Sequence, residues 1–346
     1  MILFFNSFWG ILYPGTLRYP FYLILLLLRL YRLSSFRIKK KSVALVAILP
    51  IILAYFGINT FIYFTAVFVI FLLMGKLLIA TSSRTLLTVS RLVIYISVTF
   101  VLAVNVFLNG EFYLLEDYIS LEPSNLAFTV MFFLLYGFFY GRKINRIETV
   151  VAFIIFLALY ESLTMIIGLS VFAFCLLGQR FTRLVLFGYL VTALLIPIIF
   201  ITNPDLLTQA KLYFASINHA SGYVWFNGWD AAVYAYSNNN FGSGVLTSNN
   251  YYRDPTSNDL LDNLNLRGLG TLNAFYFAML GNFYFLIIGY FIFISRNFTI
   301  NPATVILAVY LFMLMARWAG IFNSTFLLAV AFASIIAKSH HNRKEL

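Results

Sequence analysis

Apolar stretches close to the roughly 20-residue length of a bilayer-crossing helix recur along nearly the whole chain, and the charged residues collect between them. This pattern excludes a water-soluble globule. Only 10% of the residues are charged and 62% are hydrophobic, whereas a soluble domain carries about 25% charged residues. Phe and Tyr are abundant, at 39 and 23 residues, as expected where aromatic rings sit at membrane interfaces.

Spans are expected where apolar runs are bounded by charge. They fall at residues 18–31, 42–58, 61–80, 90–108 and 126–140 in the first part of the chain. Residues 148–177 are too long for one ordinary helix and divide at Tyr160-Glu161-Ser162. Further spans follow at 184–201, 269–295, 302–320 and 322–337. Residues 1–17 are apolar but broken by Pro14-Gly15, and form either a short first span or an interfacial segment. They lack a basic leading region, so no cleaved signal peptide is expected. The fold class is an all-α polytopic integral membrane protein with about eleven or twelve transmembrane helices and one large loop on the non-cytoplasmic side. It divides into an N-terminal helix bundle at 1–201, the large loop at 202–267, and closing helices with a basic cytoplasmic tail at 268–346.

Charge supports this alternation. With the cluster Arg37, Lys39, Lys40 and Lys41 placed in the cytoplasm, most of the 23 basic residues fall on the same side, as the positive-inside rule requires. The acidic segment with Glu111, Glu116, Asp117 and Glu122 falls on the other. The net charge of +11 is therefore read as topology, and no nucleic-acid partner is expected. The single cysteine, Cys175, excludes an intramolecular disulfide. His219, His340 and His341 form no local metal motif.

Residues 202–267 are the only long polar segment. Its Trp225, Trp229 and Tyr252 suit stacking on sugar C–H faces, and its Asn, Asp and Arg side chains suit hydroxyls. A short amphipathic helix lying at the interface is expected near residues 225–235, followed by a tight turn at Gly242-Ser243-Gly244. That turn is no nucleotide fingerprint, because no strand–helix unit frames it. Three arginines stand on the external side: Arg253 in the segment, Arg267 at its end and Arg317 within a span. An ionisable group inside a span is costly and needs a partner or a function. Arginine holds phosphate through two parallel charged hydrogen bonds, so a pyrophosphate-linked lipid is a natural ligand. Snorkelling of Arg317, or pairing of these arginines with Asp254, Asp259 or Asp262, are the competing structural roles. External acid–base candidates are His219, Asp230, Asp259, Asp262 and Glu161.

In order, the chain carries Trp225 with Ala231-Ala232, then Asn240-Phe241-Gly242-Ser243-Gly244. Next come residues 263–273, ending at Asn273 and leading into Leu280-Gly281-Asn282. With many spans, one long external loop and three closing spans, this resembles the O-antigen polymerases (Wzy) and related oligosaccharide repeat-unit polymerases. The architecture covers the whole chain, and the local motifs lie loosely between residues 225 and 282.

The resemblance implies a lipid-linked glycosyltransferase of the bacterial inner membrane, active at the periplasmic face without cofactor or metal. Its substrate would be undecaprenyl-pyrophosphate-linked oligosaccharide, and a chain-length regulator is an implied partner beside the membrane lipids. Arg267 and Arg317 would hold pyrophosphate, with Arg253 assisting. His219 stands in the stretch where the family often has an arginine, a departure from its pattern; His219 or Asp262 would orient or deprotonate the acceptor hydroxyl. Trp225, Trp229, Tyr252, Asn273 and Glu161 would bind substrate. An O-antigen ligase shares this architecture. A flippase would instead carry charged or broken helices at the bilayer midplane.

Overall fold

The computed structural model describes residues 81–110, 123–160, 162–217, 220–244, 271–295 and 300–316, with isolated positions between 71 and 79 and between 329 and 332. The expected spans at 18–31, 42–58 and 322–337, and most of 61–80, lie wholly or largely outside these residues.

All regular structure among the described residues is helical. Helix α1 is Ser83–Leu108, α2 Pro123–Tyr140, α3 Lys143–Leu159, α4 Leu163–Leu176 and α5 Gln179–Thr202. They are followed by α6 Pro204–Ser216, α7 Ala220–Asn238, α8 Leu272–Leu280, α9 Asn282–Ser295 and α10 Pro302–Ala316. Two of them, α1 and α5, are long and apolar enough to cross a membrane. Large apolar side chains such as Phe107, Ile154, Leu184, Leu286 and Phe293 stand exposed on the outside of the helices. A surface this apolar is costly in water and suits a helical membrane protein.

Local signals explain where the helices begin and end. Helix α1 starts at Ser83 rather than at the expected residue 90, because the Ser82 hydroxyl accepts the Thr85 N–H and caps the first turn. It stops where Asn109 takes the left-handed conformation. Helix α3 begins at Lys143, so the basic cluster Lys143 and Arg146 is its first turn and not a loop. The apolar stretch 148–177 breaks at residues 160–162, where its division is expected.

The expected single span 269–295 is corrected: it is two helices, α8 and α9, meeting at Gly281. Gly281 adopts φ 54°, ψ −127°, a conformation that side chains with a Cβ strongly disfavour. The chain cannot continue one helix through it.

The packing has two centres. In the first, α2 is surrounded by α1, α3, α4 and α10. Phe128, Met131, Phe132, Phe133, Leu134 and Leu135 are all fully buried, so α2 is covered around its whole circumference, the expected state of a helix apolar on every side. The Tyr310 hydroxyl of α10 enters this helix, donating to the Phe128 carbonyl and accepting the Phe132 N–H. Arg91 of α1 meets Glu148 of α3 in a two-pronged pair, Nε to Oε2 at 2.9 Å and Nη2 to Oε1 at 2.6 Å. The second centre joins α5, α6, α7, α8 and α9 and includes Trp225 and Trp229.

Candidate functional site

The described part of the polar segment, residues 202–217 and 220–244, is helical and packed. Helix α6 packs on α7, and α7 packs on α5 and α8. Lys211 of α6 reaches Asp230 of α7 at 2.6 Å. Asp230, an acid–base candidate from the sequence, is thus held in an ion pair. Helix α7 spans Ala220–Asn238 and buries Tyr223, Asn227, Trp229, Ala231, Ala232 and Ala235. The expected short helix near 225–235 is longer, Ala220–Asn238, and its small Ala side chains let it pack into the second core.

Trp229 is 1% exposed. Its ring lies 5.8 Å from Phe200, 6.1 Å from Trp225 and 6.2 Å from Phe277, measured between centroids. Those neighbours take up its surroundings, so in this arrangement the indole is core and not an open stacking surface. Its Nε1–H finds no hydrogen-bond acceptor among the described residues. Trp225 is only partly buried, and its indole N–H donates to the Met315 carbonyl of α10 at 3.1 Å. This bond ties α7 to α10.

Asn273, in the first turn of α8, is buried. Its Oδ1 accepts the Tyr189 hydroxyl of α5 at 2.9 Å, while its Nδ2 has no partner among the described residues. Thr271 caps the same helix, accepting the Ala274 N–H at 3.1 Å. Asn273 and Phe277 are one turn apart on α8, on the same face, and Phe277 meets Trp229. Trp225, Trp229 and Asn273 therefore belong to one helical assembly.

The turn after α7 locks onto the α8–α9 break. Asn282 N–H donates to the Asn240 carbonyl at 2.8 Å, and Ser243 N–H donates to the Ala278 carbonyl at 3.1 Å. The Tyr236 hydroxyl adds a bond to Asn282 Oδ1 at 2.9 Å. Gly242 has φ 103°, and a Cβ there would lie 2.2 Å from the Met279 carbonyl oxygen. A Cβ on Gly281 would lie 2.3 Å from the Asn240 carbonyl oxygen. Both glycines are needed so that two backbones can touch.

Arg253, Arg267, Arg317, His219, Asp262, Tyr252 and Glu161 lie outside the described residues. Sequence reasoning missed Tyr189, Tyr236 and Phe200, which orient Asn273, Asn282 and Trp229. Each is an aromatic residue in an apolar or mixed run, with no local pattern to mark its partner. No metal-holding group of His, Cys, Asp and Glu occurs among the described residues. Compared with known protein families, curated proteins and solved structures, the chain matches none.

Proposed function

We propose that the chain polymerises undecaprenyl-pyrophosphate-linked oligosaccharide repeat units at the periplasmic face of the bacterial inner membrane. The observation that supports this most is the docking of α7. Trp225, from the long polar segment, bonds to the Met315 carbonyl, and Arg317 follows Met315 by two residues in the chain. A sugar-binding segment and a phosphate-binding arginine must be neighbours in such an enzyme. The clasp at Asn240–Ser243 ties the other end of the segment to α8, which follows Arg267 in sequence.

In the reaction, the bond between the anomeric carbon of the growing glycan and its pyrophosphate oxygen breaks. The pyrophosphate leaves with the electron pair. The terminal hydroxyl oxygen of a new lipid-linked unit bonds to that carbon, and its proton passes to a base. Arg267 and Arg317 stabilise the charge on the leaving pyrophosphate, an electrostatic role worth about 3 kcal/mol per donor in comparable sites. His219 or Asp262 receives the proton, and Trp225 positions the sugar.

The test is the glycan ladder of cells lacking this gene, complemented with wild type or Arg267→Ala. Loss of the ladder with the single unit still on its acceptor supports polymerisation. Loss of all surface glycan, single unit included, points to transport or ligation and overturns the proposal.

A further inference from the structure

Helix α6 begins one residue after α5 ends, with only Asn203 between them. Pro204 at the start of α6 disfavours a helical Asn203, and Asn203 indeed has φ −135°, ψ 70°. The chain therefore changes course where an apolar, membrane-length helix stops. Just before this point α5 exposes Leu195, Ile198 and Ile199.

Helix α6 exposes apolar side chains as well. Leu206 is 49% exposed, Tyr213 60% and Ile217, at the helix end, 49%. Their spacing of seven and four residues puts them on one side of a helix. Leu207 and Lys211 lie about a quarter turn away and face α7: Leu207 is buried, and the Lys211 side chain is 14% exposed and bound to Asp230. The only cation of α6 is thus turned away from the apolar stripe. Thr208 and Ala215 lie on the opposite side and are exposed; Leu212, 61% exposed, lies about a third of a turn from the stripe, next to Thr208.

We infer that α6 lies along the membrane surface, with Leu206, Tyr213 and Ile217 set into the boundary between headgroups and acyl chains. A helix binds there through the apolar area it buries, and Tyr is enriched at that depth. Helix α6 then carries α7, and with it Trp225, at a fixed height above the lipid. The inference rests on the membrane reading of α5 and not on the reaction proposed above.

The test uses the full chain in nanodiscs of phosphatidylethanolamine and phosphatidylglycerol, in a Cys175→Ala background. Single labelled cysteines are introduced as Leu206→Cys, Tyr213→Cys, Ile217→Cys, Thr208→Cys and Ala215→Cys, with Phe187→Cys as an exposed position within α5. Each fluorophore is quenched by brominated lipid or by aqueous iodide. The stripe should show at least about two-fold stronger lipid quenching than positions 208 and 215, which should be the iodide-sensitive ones. Equal iodide quenching at all α6 positions overturns the inference. Shielding of the stripe from both quenchers also overturns it, and identifies a protein cover such as a second copy. Absence of lipid quenching at position 187 overturns the membrane reading itself, and this inference with it.

Discussion

The indole N–H of Trp225 donates to the backbone carbonyl of Met315 across 90 residues of chain, at 3.1 Å. This bond joins helix α7 of the polar segment to α10. Around it, Phe200, Phe226 and Trp229 pack on the Trp225 ring. The described part of the polar segment, through residue 244, is therefore part of the helical body.

Trp225→Phe keeps the ring but removes the donor. A hydrogen bond of this kind contributes about 1 kcal/mol net, so the variant should insert and fold with a small loss of thermal stability in detergent. On the proposed function, its glycan ladder should shorten or vanish while the protein remains in the membrane. A wild-type ladder from a stably inserted variant would remove Trp225 from the site.

Trp229 separates packing from hydrogen bonding. Trp229→Ala opens a cavity and should cost about 3–5 kcal/mol. Trp229→Phe removes a donor that has no acceptor among the described residues, so its cost should be clearly smaller. Comparing unfolding midpoints of the two variants checks this. A Phe variant as unstable as the Ala variant would mean that the indole N–H is bonded in the working protein.

The two clasp glycines should be intolerant where other glycines are not. Gly242→Ala and Gly281→Ala each place a methyl group against a backbone oxygen at an unfavourable positive φ, and each should cost well over about 1 kcal/mol. Gly188→Ala and Gly289→Ala meet nothing within 4 Å and lie inside α5 and α9. They should be neutral or stabilising by up to about 1 kcal/mol. Monodisperse yield and thermal midpoint in detergent rank the four.

The Arg91–Glu148 pair should make a modest contribution. The Arg91 side chain is 43% exposed, and pairs at such sites contribute about 0.2–1 kcal/mol. A double-mutant cycle with Arg91→Gln and Glu148→Gln should give a coupling in that range in detergent, weakening with salt. Arg91→Lys should recover only part of it, because an ammonium cannot reproduce the two-pronged geometry.

The helical character was legible because it rests on local composition. The break at residues 160–162 could be read because Glu161 interrupts an overlong apolar run. The break at Gly281 could not, since a glycine among Phe, Leu and Tyr is compatible with an unbroken span. What ends the helix is its positive φ and the backbone of Asn240 against it, a contact across 41 positions of chain. The pairing of Arg91 with Glu148 was equally hidden: both sit on the basic side of the charge pattern, and 57 residues separate them. At the site, Trp225 and Trp229 look alike in sequence, four residues apart on one helix. Packing divides them, sealing Trp229 among Phe200 and Phe277 while leaving Trp225 at the edge. Asn273 could be noticed as a polar residue before an apolar helix, but its partner Tyr189 lies 84 positions away.

The central claim is tested most directly by purified protein in liposomes, given the lipid-linked oligosaccharide extracted from cells lacking this gene. The account predicts a ladder of lengthening lipid-linked glycans with release of undecaprenyl pyrophosphate, absent with Arg317→Ala. A lipid-linked unit that stays unextended by folded wild-type protein would contradict it.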